Sequence, residues 1–229
     1  MPKADRTPRP PTRKNPLTKT RPECCRRVIP GNAAQAWSKP ASILKKPDVR
    51  ALLDGSPQAG ILEVGAGALR NALHLLKEGF RVHVFDPLAA ACRFPGRYRE
   101  FEKLGGKVLQ KLPSRPTYEI ILTTYVIETI CCPHERRELV RRIAHCLMRG
   151  GFWILSVRGP RNIVLVQRKS ERCSDGYLTS QRTFVRSYTK AQLEEFLRSN
   201  GFKYLKFLHG PSLEEPELLD VIARKAKNE

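Results

Sequence analysis

Acidic residues are scarce in this chain. Only 22 Asp and Glu stand against 42 Lys and Arg among 229 residues, a formal net charge of +20. A surplus of that size draws polyanions, nucleic acid or an anionic surface among them, without saying which. Long apolar runs are missing too: none approaches the ~18 residues of a membrane-spanning helix, and no apolar stretch follows a charged start as in a secretory signal. A cytoplasmic protein with no membrane partner is therefore expected. None of the seven cysteines pairs with another across the two-residue gap of a zinc knuckle. Their odd number and the adjacent pairs Cys24-Cys25 and Cys131-Cys132 fit a reduced compartment, with the thiols serving as small apolar groups and no metal expected. A soft-metalloid or thiol role for the adjacent pairs is the rarer reading. No G-K-[ST] phosphate loop occurs, which excludes the common nucleotide hydrolases.

The first 30 residues hold prolines at 2, 8, 10, 11, 16, 22 and 30, nine basic residues and few large apolar groups. Such a segment cannot bury enough surface to offset its ordering entropy. Residues 1–40 are accordingly expected to be a disordered basic tail, and 41–229 a single domain. The tail reads equally as an electrostatic arm for nucleic acid or as a solubilising segment.

A short helix is expected from Pro47-Asp48 to Gly55, since proline favours the first helical turn and glycine the end. From Gly60 the pattern alternates. Strands are expected at 61–64, 81–85, 108–109, 118–123 and 152–157, with helices at 68–77, 88–104 and 134–148 between them. A capping box at Thr189 and Gln192 opens another helix, and apolar runs at 202–208 and 218–223 close the chain as two strands. This order predicts an α/β fold with a doubly wound, mostly parallel seven-stranded sheet. The polar stretch 159–186 reads as an irregular inserted loop at the mouth of a site.

The chemistry concentrates in Glu63-Val-Gly-Ala-Gly-Ala-Leu-Arg-Asn71, a strand that passes through glycines into a helix. Glycine lets the backbone approach a cofactor, and the helix N-terminus presents free amides. Asp86 ends the next strand, where a carboxylate can accept hydrogen bonds from two ribose hydroxyls. The dinucleotide pattern G-x-G-x-x-G needs a third glycine that is absent after Gly67, which argues against a pyrophosphate cofactor.

These residues resemble the class I S-adenosylmethionine-dependent methyltransferases, whose first motif runs acid-x-Gly-x-Gly-x-Gly with a second acid ending the next strand. Glu63, Gly65, Gly67 and Asp86 match, while Leu69 stands where the last glycine is usual. The stretch 70–86 is similar to small-molecule methyltransferases of the tellurite-resistance type. Residues 124–130 resemble the family's fourth-strand V-L-E-H-I motif, with Thr129 where histidine is common, and Leu147-Met-Arg-Gly-Gly151 resembles its L-K-P-G-G turn. The segment from Asp175 to Phe184 and the residues after it are similar to uncharacterised bacterial methyltransferases that accompany DNA-modification systems. In that case the loop from Arg158 to Arg186 shapes the substrate pocket.

The resemblance implies a Rossmann-like domain, S-adenosylmethionine as cofactor, and a methyl acceptor as partner. It places Glu63, Gly65, Ala66 and Gly67 at the methionine part and Asp86 at the ribose, with Asn71 and Pro87 counted beside them. Thr123, Thr124 and Tyr125 line the site. The acid that contacts adenine in many relatives is missing, and Gln110 is the nearest polar substitute. Tyr125 and Glu128 are the candidate catalytic residues. His134 and Glu135 fit an ordinary helix start, and His74 and His83 fit packing roles. There is no D/N-P-P-Y/F motif, and Cys132-Pro133 reverses the Pro-Cys order of cytosine-5 enzymes. The acceptor stays open between a small molecule and a nucleic acid. A competing reading is a degenerate, non-catalytic fold that holds nucleic acid, given Leu69 and the missing adenine acid.

Overall fold

The computed structural model describes residues 23–29, 39–86, 93–208 and 217–225. Most of the expected tail, together with Pro87 and Cys92, lies outside them.

Seven strands form the main sheet: β1 (Gly60–Val64), β2 (Arg81–Phe85), β3 (Lys107–Val108), β4 (Tyr118–Thr124), β5 (Leu147–Arg158), β9 (Phe202–Phe207) and β10 (Leu218–Lys225), in the order β3-β2-β1-β4-β5-β10-β9. All neighbouring pairs are parallel except those made by β10, which runs against both β5 and β9. The expected doubly wound, mostly parallel sheet is what forms. Every residue of β1 is buried, as a central parallel strand covered on both faces requires.

Helices cover the two faces. On one side lie α2 (Pro47–Asp54), α3 (Arg70–Lys77) and α4 (Pro95–Lys103), whose Val49, Leu53, Ala72, Leu75 and Phe101 pack onto Ile61, Val82 and Ile120. On the other, α5 (Pro133–Cys146) and α7 (Lys190–Arg198) bring Leu139, Val140, Ile143, Leu193 and Leu197 against Leu62, Ile121 and Trp153. Most apolar residues at helical spacing in the sequence meet the sheet, although in α3 Leu75 is fully buried and Leu76 only partly. Thr189 and Gln192 form the capping box: Gln192 N–H donates to Thr189 Oγ1 at 3.2 Å, and the Thr189 amide donates to the Gln192 side chain at 3.0 Å.

Two expectations change. The stretch 159–186 is not an irregular loop. It holds α6 (Pro160–Gln167) and an antiparallel sheet of β6 (Glu171–Cys173), β7 (Gly176–Leu178) and β8 (Phe184–Val185). Strands of two or three residues are too short for period-two alternation to show in a sequence. Glycine is required at 176, where a Cβ would sit 2.5 Å from the Val185 carbonyl oxygen. Secondly, residues 23–29, inside the expected tail, are folded. Here α1 (Glu23–Arg26) buries Cys25, the Ile29 amide donates to the Arg182 carbonyl at 2.8 Å, and Arg182 Nε donates back to Arg27 at 2.9 Å.

The cysteines divide accordingly. Cys132 and Cys146 are buried thiols, as small apolar groups would be. The other four described cysteines depart from that reading. Cys24, Cys25, Cys131 and Cys173 converge, and the structure pairs Cys24 with Cys173 and Cys25 with Cys131.

Candidate active site

In an open α/β sheet the ligand crevice lies beyond the carboxyl ends of the parallel strands, where the strand order reverses. Here that point is the end of β1, between β2 and β4. The chain leaves β1 through a loop whose backbone is left-handed at Gly65 (φ +73°) and Gly67 (φ +51°). Neighbours pin it: the Gly65 amide donates to the Phe85 carbonyl at 2.7 Å, Arg97 donates to the Ala68 carbonyl at 2.9 Å, and Tyr98 Oη donates to the Gly67 carbonyl at 3.2 Å. Ala66 is buried and accepts the Leu69 amide at 2.8 Å, closing the turn.

Leu69 explains its own oddity. It is fully buried and adopts φ 62°, ψ 22°, the left-handed conformation that glycine takes at little cost. The turn that glycine usually makes is therefore kept, with a packed leucine in the strained position.

Asp86, half-buried at the end of β2, accepts the Gly67 amide at 2.6 Å and so joins the second strand to the loop. Gln110 is exposed just past β3, and the Leu109 amide bonded to Val84 at 2.8 Å holds that segment on the same sheet edge.

Three of the named residues form a buried network under the loop. Asn71 Nδ2 donates to Glu63 Oε1 at 2.7 Å and to Thr124 Oγ1 at 3.0 Å, and Asn71 Oδ1 accepts the Ala41 amide at 2.8 Å. Glu63 Oε2 is buried without a partner, and burial pushes this carboxyl up to about 7, against the pull of Asn71 and the Arg70 charge. Thr123 does not line the crevice: it is buried and accepts the Trp153 indole N–H at 3.0 Å, because alternate strand residues face opposite sides.

At the end of β4, Tyr125 takes φ 60° and donates its amide to the Ser156 carbonyl at 2.9 Å. Its ring lies 5.6 Å from both the Arg70 and the Arg158 guanidinium. Burial raises the Tyr125 phenol and lowers the Arg70 guanidinium from their ordinary values. Glu128 follows, in a 3-10 turn at Ile127–Thr129, wholly enclosed, with no hydrogen-bond partner on either carboxylate oxygen. Burial pushes it up to about 7. Arg158 Nε is also buried without a partner.

Sequence reasoning missed Arg70, Arg158, Ser156 and Asp220 here. Ser156 Oγ donates to Asp220, because antiparallel pairing sets Ser156 of β5 beside Asp220 of β10. One signal existed, an acid inside the otherwise apolar run 218–223. Among the described residues, no helix is long and apolar enough to cross a membrane.

Comparison with known proteins follows the same lines. The didemethyltoxoflavin N1-methyltransferase of Burkholderia thailandensis, solved with 1,6-didemethyltoxoflavin and S-adenosylhomocysteine, is similar at 21% identity and a TM-score of 0.55, over 82% of this chain and 80% of that one. A Methanosarcina mazei protein solved as an S-adenosylmethionine-dependent methyltransferase is similar at 18% identity and a TM-score of 0.61, over 80% and 98%. Likeness at this distance speaks for the fold. No curated protein sequence matches. The sequence profile of the methyltransferase domain, however, matches residues 40–206, most of the chain and every residue of the crevice described above except Asp220. This chain belongs to the methyltransferase-domain family.

Proposed function

We propose that the chain transfers a methyl group from S-adenosylmethionine to a small anionic acceptor held at the ends of β4 and β5. The observation that carries the acceptor class is the pair of guanidinium groups, Arg70 and Arg158, each 5.6 Å from the Tyr125 ring. Two guanidinium groups at a half-buried site can donate paired hydrogen bonds to an anionic group of the acceptor, beside the carboxyls of Glu128 and Asp220 that act on the same Tyr125 phenol. The Burkholderia enzyme similar to this one was solved with 1,6-didemethyltoxoflavin bound, which supports a small acceptor.

The residues fit the donor. Glycine at 65 and 67 lets the loop turn tightly at the end of β1, and a carboxylate such as Asp86 accepts several hydrogen bonds at once, so ribose hydroxyls would join the Gly67 amide. When bound, S-adenosylmethionine supplies a sulfonium methyl open to in-line attack. The Glu63–Asn71–Thr124 network holds the loop from beneath and fixes its distance from β4. Arg70, Tyr125 and Arg158 would orient the acceptor along the line of attack, and such a displacement can rest mainly on positioning. Glu128 is sealed behind them and acts on the electrostatics of Tyr125 rather than on the acceptor.

Calorimetric titration with S-adenosylmethionine, S-adenosylhomocysteine and a nicotinamide dinucleotide tests the donor: micromolar binding of the first two alone is expected. The acceptor class is read by incubating the protein with tritiated S-adenosylmethionine and a cell extract. Label in small molecules retained on anion exchange supports the reading, and Arg158→Ala should reduce it. Label confined to nucleic acid overturns the small acceptor, and absence of donor binding returns the chain to a non-catalytic, nucleic-acid-holding role.

A further inference from the structure

Four cysteines meet where the inserted sheet joins the domain. Cys24 and Cys25 come from α1, Cys131 from the turn after β4, and Cys173 from β6, with separations of 149 and 106 residues between bridged partners. Their sulfurs all lie within 4.8 Å of one another, and Cys131 Sγ is 3.4 Å from Cys173 Sγ across the two bridges. Two independent disulfides do not require four sulfurs in one cluster. A tetrahedral metal centre does: with Zn–S bonds of about 2.3 Å, the sulfurs stand roughly 3.8 Å apart.

We propose that the reduced chain binds one zinc ion through Cys24, Cys25, Cys131 and Cys173. The donor set is entirely sulfur, which selects a soft tetrahedral cation. Binding forms four zinc–sulfur bonds and releases up to four thiol protons to solvent, with no electron transferred. The disulfide-paired arrangement is the four-electron oxidised form of the same side chains, so one geometry serves both.

The surroundings suit a tetrathiolate. Cys25, Cys131 and Cys173 are shielded from water. The centre would carry about two negative charges, and Arg136, which is paired with Asp175, donates to the Cys131 carbonyl at 3.4 Å beside it. Among the described residues, the apolar cluster here consists of the cysteines with Leu178, Phe184 and Val28. So small a core needs a covalent or metal staple to hold three short strands and an N-terminal segment together. Four protein ligands leave no open position, so the ion is structural.

Its position gives that structure a consequence. Cys131 lies three residues after Glu128, and the Arg186 amide, next to β8, donates to the Glu128 carbonyl at 3.1 Å. The zinc centre thus clamps the inserted sheet onto the turn that ends the Tyr125 wall of the candidate site. The adjacent pairs Cys24-Cys25 and Cys131-Cys132 were its trace in the sequence, but the ligands come from three distant segments and none shows knuckle spacing.

The test uses the full chain, purified with reductant and without chelator. Elemental analysis should find about one zinc per chain, and cobalt in its place should give the intense visible bands of a tetrahedral thiolate site. After denaturation with chelator and no reductant, seven thiols should titrate. Cys25→Ser and Cys173→Ser should lose most of the zinc, while Cys146→Ser should keep it. Absence of metal from the reduced chain overturns the proposal whatever its thiol number, and iron in place of zinc overturns the metal assignment. Because occupancy and thiol number are read on the wild-type chain, the result stands even where a variant fails to fold. Binding of S-adenosylmethionine is a separate readout, so the two proposals can fail independently.

Discussion

Replacing Glu128 with glutamine keeps the shape of its site and removes its ability to ionise, so it isolates the cost of a buried charge. The carboxyl is fully enclosed, neither oxygen has a hydrogen-bond partner, and burial pushes it from 4.5 up to about 7. The folded chain therefore holds this proton more tightly than the unfolded chain. Stability contributed by the neutral acid is complete below the unfolded value and is lost as pH rises towards 7. A shift of that size is worth roughly 3 kcal/mol. Urea unfolding of wild type and Glu128→Gln, followed from about pH 5 to about pH 8, gives the difference in stability at each pH. The variant carries an amide with its own unpaired donors, so a constant offset is expected at the acid end. From there the difference should move in favour of glutamine by roughly 3 kcal/mol as pH rises. Zinc loss or general titration cancels between two chains that share every other group. A difference that stays flat across the range means that the folded carboxyl is not raised, and the account of this buried wall is then mistaken.

Asp86→Asn and Asp86→Ala should weaken S-adenosylmethionine binding about 10- to 100-fold by calorimetry, the worth of hydrogen bonds to a charged acceptor; an unchanged Kd contradicts the ribose role. Gly65→Ala places a Cβ 2.4 Å from Val126 Cγ2 on a backbone at φ +73°, so a loss of about 1–3 kcal/mol is expected in chemical denaturation. Val126→Ala in the same chain should recover part of it, and no recovery means that Val126 is not the obstacle. At the fully buried, left-handed Leu69 both Leu69→Ala and Leu69→Gly lose the packing of the branched end of the side chain, and Leu69→Gly loses the Cβ as well. Glycine should nevertheless be the more stable of the two by about 1 kcal/mol, the reverse of its order inside a helix; alanine ahead of glycine refutes strain at that turn.

The alternation of strands and helices, the glycine loop after β1, Asp86 at the end of β2 and the capping box at Thr189 were legible because each rests on local chemistry. Apolar spacing, left-handed turns and caps are properties of a few neighbouring residues, so a single sequence displays them. Even Leu69, which departs from the family pattern, was visible as a departure.

Other features depended on which distant residues meet. Thr123 and Thr124 are adjacent, yet one bonds Trp153 in the core and the other Asn71 beneath the loop, a division set by the strand's pleat and by which helix covers each face. Asp220 reaches Ser156 only because β10 runs antiparallel to β5 in one register. The inserted sheet hid in strands too short to show a period, and the four cysteines assemble only once α1, the turn after β4 and β6 are folded together. The sequence alone thus determined the fold class and the cofactor loop, whose information is local. Tertiary structure decided the buried charges, the guanidinium pair around Tyr125 and the sulfur cluster, because burial and ligand geometry arise from contacts between segments up to about 150 residues apart.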